Sequence, residues 1–277
     1  MPNLLPRIFV TALIVLGVYE AVLRIAAPNV NSSPDQYTAN AIRLESYVDG
    51  GARAPAVIVG SSLSARIPPD AWPQGWRVLS QADGSALTGL SVVAATHPLP
   101  ARVLIEANFL DSGANPSDIE NATGAVPRRL RAALWLTRRA FRPMNIIVWA
   151  LRRLNPSDEA APANFPKILK LQQNGFAKAP DAGTRSRLLP VKALVDQFRQ
   201  EGVPVAFFEM PVDASLGNMP FASGRRALYE TLFPKSTYCW LPIAGTNWRT
   251  VDGIHLLARD GRKAAGTLAA AACEGGV

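Results

Sequence analysis

The feature that most constrains this chain is a set of short apolar runs, each ending in Gly, Pro or a polar residue, with helix-like stretches between them. AVIVG (56–60), WRVLS (76–80), ARVLIEAN (101–108) and VPVAFFEMP (203–211) are the four runs. Each is brief and rich in β-branched or aromatic residues, which predicts strands. Residues 186–201 read as an amphipathic helix with Gly202 past its end, and 256–273 as a closing helix. Strands separated by helices need crossovers, so the expectation is an α/β domain with a central parallel sheet. In such sheets a site forms at the carboxyl ends of the strands, so the residues leaving each strand matter most.

Composition narrows the function classes. Two cysteines exclude a disulfide-rich scaffold or a cysteine-rich zinc module, and two histidines exclude a His-rich metal site. At 48% apolar and 18% charged residues, the chain is neither disordered nor polytopic.

The amino-terminal run IFVTALIVLGVY (8–19) is uncharged, and its apolar pattern continues past Glu20 and Arg24 to Ala27. Those two charges share a helix face and can neutralise each other. A membrane anchor, a cleaved signal and a buried core helix are the three readings. The first two place the rest of the chain outside the cytoplasm. Residues 1–28 form this segment, 29–50 a linker and lead-in, and 51–277 the main domain. In an oxidising compartment Cys239 and Cys273 could pair; the alternative is two buried thiols.

Residues 114–180 interrupt the alternation. Their centre, 127–153, holds eight arginines and no acidic residue, with Trp135, Phe141 and Trp149 interleaved. A basic helical insertion of this kind predicts a membrane or partner surface carried by Arg128, Arg129, Arg131, Trp135, Arg138, Arg139 and Trp149. A lid with a solvated basic face is the plainer reading. Nucleic acid is not expected as a partner of an exported chain.

Four residue groups could carry chemistry. Ser61 and Ser62 follow Gly60 on the turn leaving the first strand, where a hydroxyl meets a helix amino terminus. Gly84 follows the second strand and lets backbone approach a ligand. Asn108 ends the third and offers an amide donor to an oxyanion. Asp252 and His255, three apart, can form a carboxylate–imidazole pair whose Nε2 takes a serine proton. Taken singly, each also reads as a turn or cap. His97, flanked by proline, reads as structural.

In this order the four blocks resemble the SGNH (GDSL-type) hydrolase and acyltransferase superfamily. DGIHL followed by Gly261 and a run of alanines is the closest match. The resemblance covers roughly 52–112 and 200–273. It departs at Ser61, where the family has Asp, and at EANF, where the family has Gly-x-Asn-Asp. The choice of Ser62 over Ser61 rests on the alignment of the blocks. The resemblance implies a flavodoxin-like domain with Ser62 as nucleophile, His255 as general base and Asp252 orienting it. Ser62 and Gly84 N–H groups and the Asn108 amide would form the oxyanion hole, with no cofactor or metal. The departures look like the membrane-tethered, envelope-facing branch, which implies acyl transfer or hydrolysis on an extracytoplasmic polysaccharide at a bacterial inner membrane. A membrane-bound O-acyltransferase or an export machine would be the protein partner. A lipase-like esterase and a non-catalytic scaffold are the alternatives.

Overall fold

The computed structural model describes residues 4–31, 33–154, 162–245 and 247–273. Five strands, β1 (Val57–Val59), β2 (Arg77–Val78), β3 (Val103–Glu106), β4 (Val205–Phe208) and β5 (Cys239–Leu241), form one parallel sheet in the order β2-β1-β3-β4-β5. The helices are α1 (Leu4–Ala26), α2 (Gln36–Gly50), α3 (Ser62–Ala65), α4 (Ala86–Ala94), α5 (Pro116–Thr123) and α6 (Ala125–Ala133). They continue with α7 (Pro143–Leu154), α8 (Phe165–Phe176), α9 (Thr184–Gln200), α10 (Pro220–Leu232) and α11 (Ala258–Ala270). The strand order reverses direction between β1 and β3, which puts a crevice at the carboxyl ends of those two strands.

The three central strands β1, β3 and β4 are buried on both faces, and their side chains alternate between two cores with a period of two. Val57, Val59, Val103, Ile105, Val205 and Phe207 pack on one side, under α4 and α9. Ile58, Leu104, Ala206 and Phe208 pack on the other with Leu268 of α11. Each of the Val, Ile, Leu and Phe side chains among these contributes about 1.5–3 kcal/mol by leaving water.

The four predicted strands are present, each trimmed at its ends, and a fifth, β5, was not anticipated. Cys239 in β5 is disulfide-bonded to Cys273, just beyond α11, with Cα atoms 5.6 Å apart. This ties the edge strand to the closing helix.

The lead-in is structured. Asp35 accepts the Thr38 N–H at 2.7 Å to cap α2, and Gly51, at φ +63°, ends it. Leu44, Tyr47 and Val48 join the core. The basic insertion is helical but divides in two. Its α5 packs against α2 and α4 and belongs to the domain's outer layer. Its α6 packs on α5 and α2, whereas residues 135–141 and α7 gather around the end of α1. Residues 155–161 of the same insertion lie outside the described residues.

The reading of Glu20 and Arg24 as a pair is only part of what they do. Arg24 Nε donates to Glu20 Oε1 at 2.7 Å. The Glu20 carboxylate also accepts the Trp135 and Leu136 N–H groups at 2.9 and 2.8 Å, and Arg24 Nη2 donates to the Ala133 carbonyl at 2.7 Å. Tyr19 donates to the Phe141 carbonyl. The exit of α1 is therefore docked on the insertion.

Candidate active site

Gly60 ends β1, and the chain turns sharply into α3. The turn is held by a carboxylate from the neighbouring strand. Glu106, the last residue of β3, is fully buried. Its Oε2 accepts the Ser61 and Ser64 N–H groups at 3.0 and 3.1 Å and the Ser64 hydroxyl at 2.6 Å. Its Oε1 accepts the Ser61 hydroxyl at 2.7 Å. Burial pushes the Glu106 carboxyl up from its ordinary range, and the hydrogen bonds from Ser64 and Ser61 oppose that shift. Only glycine fits at position 60, because a Cβ there would lie 2.6 Å from Glu106 Cβ and Ser64 Oγ.

The two serines are thereby separated. Ser61 is buried and committed to Glu106. Ser62 is half-buried, and its Oγ lies 2.8 Å from His255 Nε2. His255 Nδ1 lies 2.6 Å from Asp252 Oδ2. Asp252 Oδ1 accepts the N–H groups of Ile254 and His255 at 3.1 and 2.9 Å. Burial opposes ionisation of Asp252, but the His255 ring and these N–H groups outweigh it and bring its carboxyl down to about 2. An ionised Asp252 can only accept, so the proton sits on Nδ1, and Nε2 is free to accept from Ser62.

The loop carrying the pair is a tight antiparallel turn. Val251 N–H donates to the His255 carbonyl at 2.8 Å, and Leu257 N–H to the Arg249 carbonyl at 2.9 Å. Gly253 takes φ +97° inside it. That geometry places a carboxylate and an imidazole three residues apart on one side of the turn.

Asn108 leaves β3 beside the turn. Its Oδ1 accepts the Met210 N–H at 2.7 Å, and its Nδ2 donates to the Met210 carbonyl at 2.9 Å. The amide is thus fixed in orientation and bridges the exits of β3 and β4, with its second N–H left over. Gly84 is placed differently from the expectation. Its N–H donates to the Gln81 carbonyl at 3.2 Å, and a Cβ there would meet Gln81 Cβ at 2.4 Å. The turn uses both its donor and its lack of side chain. The Ser62 N–H opens α3, where the first N–H groups have no intrahelical acceptor. His97 is exposed and enters β3 at the opposite end of the sheet.

Three contributors were not read from sequence. Glu106 is one. Asn40 and Arg43 of α2 are the others. Asn40 clamps Ala82 through its Nδ2 (2.8 Å) and Oδ1 (2.9 Å). Arg43 donates to the Ser80 and Ala65 carbonyls at 3.2 and 3.1 Å, joining the second and first loops. A capped helix signal over 35–51 was the available clue.

The arginine surface needs correction. Arg131 is 3% exposed, bonded to Asp49 at 2.9 Å and to the Asn121 and Ala122 carbonyls at 2.6 Å each. Arg138 lies over the Trp135 ring, Trp135 stacks on Phe141, and Arg139 pairs with Glu45 at 3.3 Å. Trp149 packs toward Phe141 and Leu23. These residues hold the subdomain together, because a desolvated guanidinium needs carboxylate and carbonyl partners close by. Arg128 and Arg129 remain exposed.

Among the described residues no group of three or more His, Cys, Asp or Glu is placed to hold a metal ion. No family model, curated protein or solved structure matches this chain.

Proposed function

We propose that this chain is a serine-dependent acyl-ester enzyme of the SGNH type, with a flavodoxin-like catalytic domain, acting on an extracytoplasmic polysaccharide. The observation that carries the reading is the continuous Ser62–His255–Asp252 array at the carboxyl edge of a parallel sheet. Ser62 Oγ attacks an acyl carbonyl carbon while its proton passes to His255 Nε2. The tetrahedral adduct collapses by breaking the bond to the leaving oxygen, which takes that proton back. Water or a sugar hydroxyl then repeats the sequence on the acyl-serine and releases Ser62.

The oxyanion is served by the Ser62 N–H and the remaining Asn108 N–H. Gly84 shapes the loop and donates only if its turn opens. No bound metal or cofactor enters this scheme. The apolar α1 and the Cys239–Cys273 disulfide favour an exported domain held at a membrane. The acetyl group, the polysaccharide acceptor and a membrane-bound O-acyltransferase or export partner follow from the family resemblance. A second reading, an esterase on membrane lipids, draws on the aromatic cluster beside Asn108, where Phe176 and Phe109 flank Phe221 at 4.7 and 5.7 Å; it requires these rings to part for an acyl chain.

The test is acyl capture. The full chain in detergent is incubated with p-nitrophenyl acetate, and nitrophenol release is followed. Peptide mass spectrometry then seeks an acetyl group on Ser62. Turnover and adduct should both vanish in Ser62→Ala and His255→Ala. A folded wild-type protein with neither would leave the scaffold reading. Preference for long acyl chains would favour the lipid reading, and acceleration by added sugar the transferase.

A further inference from the structure

The insertion carries an apolar face that stays exposed among the described residues. In α7, Met144, Ile147, Leu151 and Leu154 are 58%, 51%, 53% and 76% exposed. Their spacing of three, four and three residues puts them in one stripe along the helix. The opposite face is already used. Asn145 is buried, donating to the Arg139 carbonyl at 2.7 Å, and Ile146 and Trp149 pack toward Leu23 and Phe141. An α-helix with apolar residues on both faces needs a second partner, since four large side chains in one exposed stripe are unfavourable in water.

The position of the stripe says what that partner is. A bilayer core takes about twenty residues of helix to cross. Counted from Leu4, α1 leaves the apolar region near Glu20 to Arg24. Glu20 and Arg24 bond residues 133–136 and the adjacent Tyr19 bonds Phe141, so this segment lies at the headgroup level wherever α1 spans a membrane. Only Arg142 separates it from Pro143, the first residue of α7. Arg142, Arg152 and Arg153 are exposed around the helix, with Arg128 and Arg129 on α6, and no acidic residue occurs from 127 to 153.

We infer that α7 lies on the bilayer beside the exit of α1, with Met144, Ile147, Leu151 and Leu154 in the acyl boundary and the surrounding arginines against anionic headgroups. The inference rests on α1 crossing the membrane and is independent of the serine chemistry.

The full chain, its native disulfide intact, would carry one added cysteine at Ile147 or Leu151 labelled with an environment-sensitive fluorophore. Leu13 of α1 and Leu189 of α9 serve as reference positions. The protein is placed in phosphatidylcholine vesicles, with or without phosphatidylglycerol, containing a lipid that bears a quencher near the headgroup or one that bears it deep in the chain. Labels at 147 and 151 should lose emission to the shallow quencher, and more so with phosphatidylglycerol present. Leu13 should lose it to the deep quencher and Leu189 to neither. Labels at 147 and 151 that stay open to aqueous iodide while Leu13 is quenched would overturn the inference. An unquenched Leu13 would remove its premise and overturn it too. Shielding that occurs only in native membranes and not in lipid vesicles would assign the stripe to a protein and overturn it. Equal losses in both lipids would strike out the role of the arginines.

Discussion

Glu106 Oε1 holds the Ser61 hydroxyl at 2.7 Å, one residue ahead of Ser62, from the neighbouring strand. Under the proposed SGNH reading, position 61 lacks the Asp of the resembled pattern and position 106 carries Glu in place of its Gly. A carboxylate is thus present at the turn after all, supplied by β3. Glu106→Gln should keep the turn, because its oxygen can accept the Ser61 and Ser64 N–H groups while its NH₂ donates to Ser61 Oγ. Glu106→Ala should cost about 3 kcal/mol or more by orphaning buried donors, and turnover with it. The raised Glu106 pKa has a sign: its contribution to stability is full below the ordinary value of 4.5 and is lost as pH rises through the folded value. Urea midpoints against pH should therefore show Glu106→Gln gaining on wild type as pH rises.

Asp252 has the opposite sign. Its carboxyl is lowered from 3.8 to about 2, so its contribution is present above its ordinary value and is lost as pH falls through about 2. Asp252→Asn should flatten this acid limb of the stability curve. It should also lower ester turnover at neutral pH by on the order of 10⁴-fold, because Asn leaves the imidazole in the wrong tautomer. Urea midpoints from pH 2 to 5 and initial rates with p-nitrophenyl acetate check the two halves.

Beside its bonds to Met210, Asn108 has a proposed role as oxyanion donor, and substitutions can separate the two. Asn108→Ala should reduce kcat by about 10²–10³-fold through the lost oxyanion donor. It should also cost about 1–3 kcal/mol by stranding Met210. Asn108→Asp retains an acceptor for the Met210 N–H but no donor. It should recover part of the stability and none of the rate, as read by thermal melts beside kinetics.

The Cys239–Cys273 bond closes a 34-residue separation. Replacing both cysteines by serine should lower stability by about 2–4 kcal/mol. The urea midpoint should fall in nonreducing buffer. Reduction of the wild type should reproduce the shift, whereas the double variant should not respond to reductant.

Arg131 and Arg129 differ although they are two residues apart. Arg131→Ala leaves two buried carbonyls unpaired and Asp49 with only the more distant Arg138, 3.9 Å away, and should cost about 3 kcal/mol. Arg129→Ala, at an exposed position, should stay within about 0.5 kcal/mol of wild type. Chemical denaturation of the two variants decides it.

The legible parts of the sequence were those with local causes. Val57–Val59 and Val103–Glu106 are apolar runs ended by turn residues, and Asp252–His255 is a contact set by one tight loop. β5 is three residues long and partly buried, too brief for a periodic signal. α2 was missed because Asn40, Arg43 and Glu45 interrupt its apolar pattern, and their partners are distant in sequence. The arginines of 127–153 were visible as charge. That Arg131 reaches Asp49, 82 residues away, is a tertiary fact no local pattern carries. Gly84 was visible as a turn, but which acceptor takes its N–H depends on the loop's closure.

Glu20 bonding two backbone N–H groups of the insertion changes what kind of attachment α1 is. A helix joined through a free linker would let its domain swing over a hemisphere, and its serine would sample many heights above the lipid. Here the exit of the helix is fastened to the folded body at several points. If α1 spans a membrane, the crevice keeps one working distance and one heading relative to it. On the proposed acyl-transfer function, acyl groups and acceptors must then arrive at that height, and an enzyme delivering them would have to open at the same level.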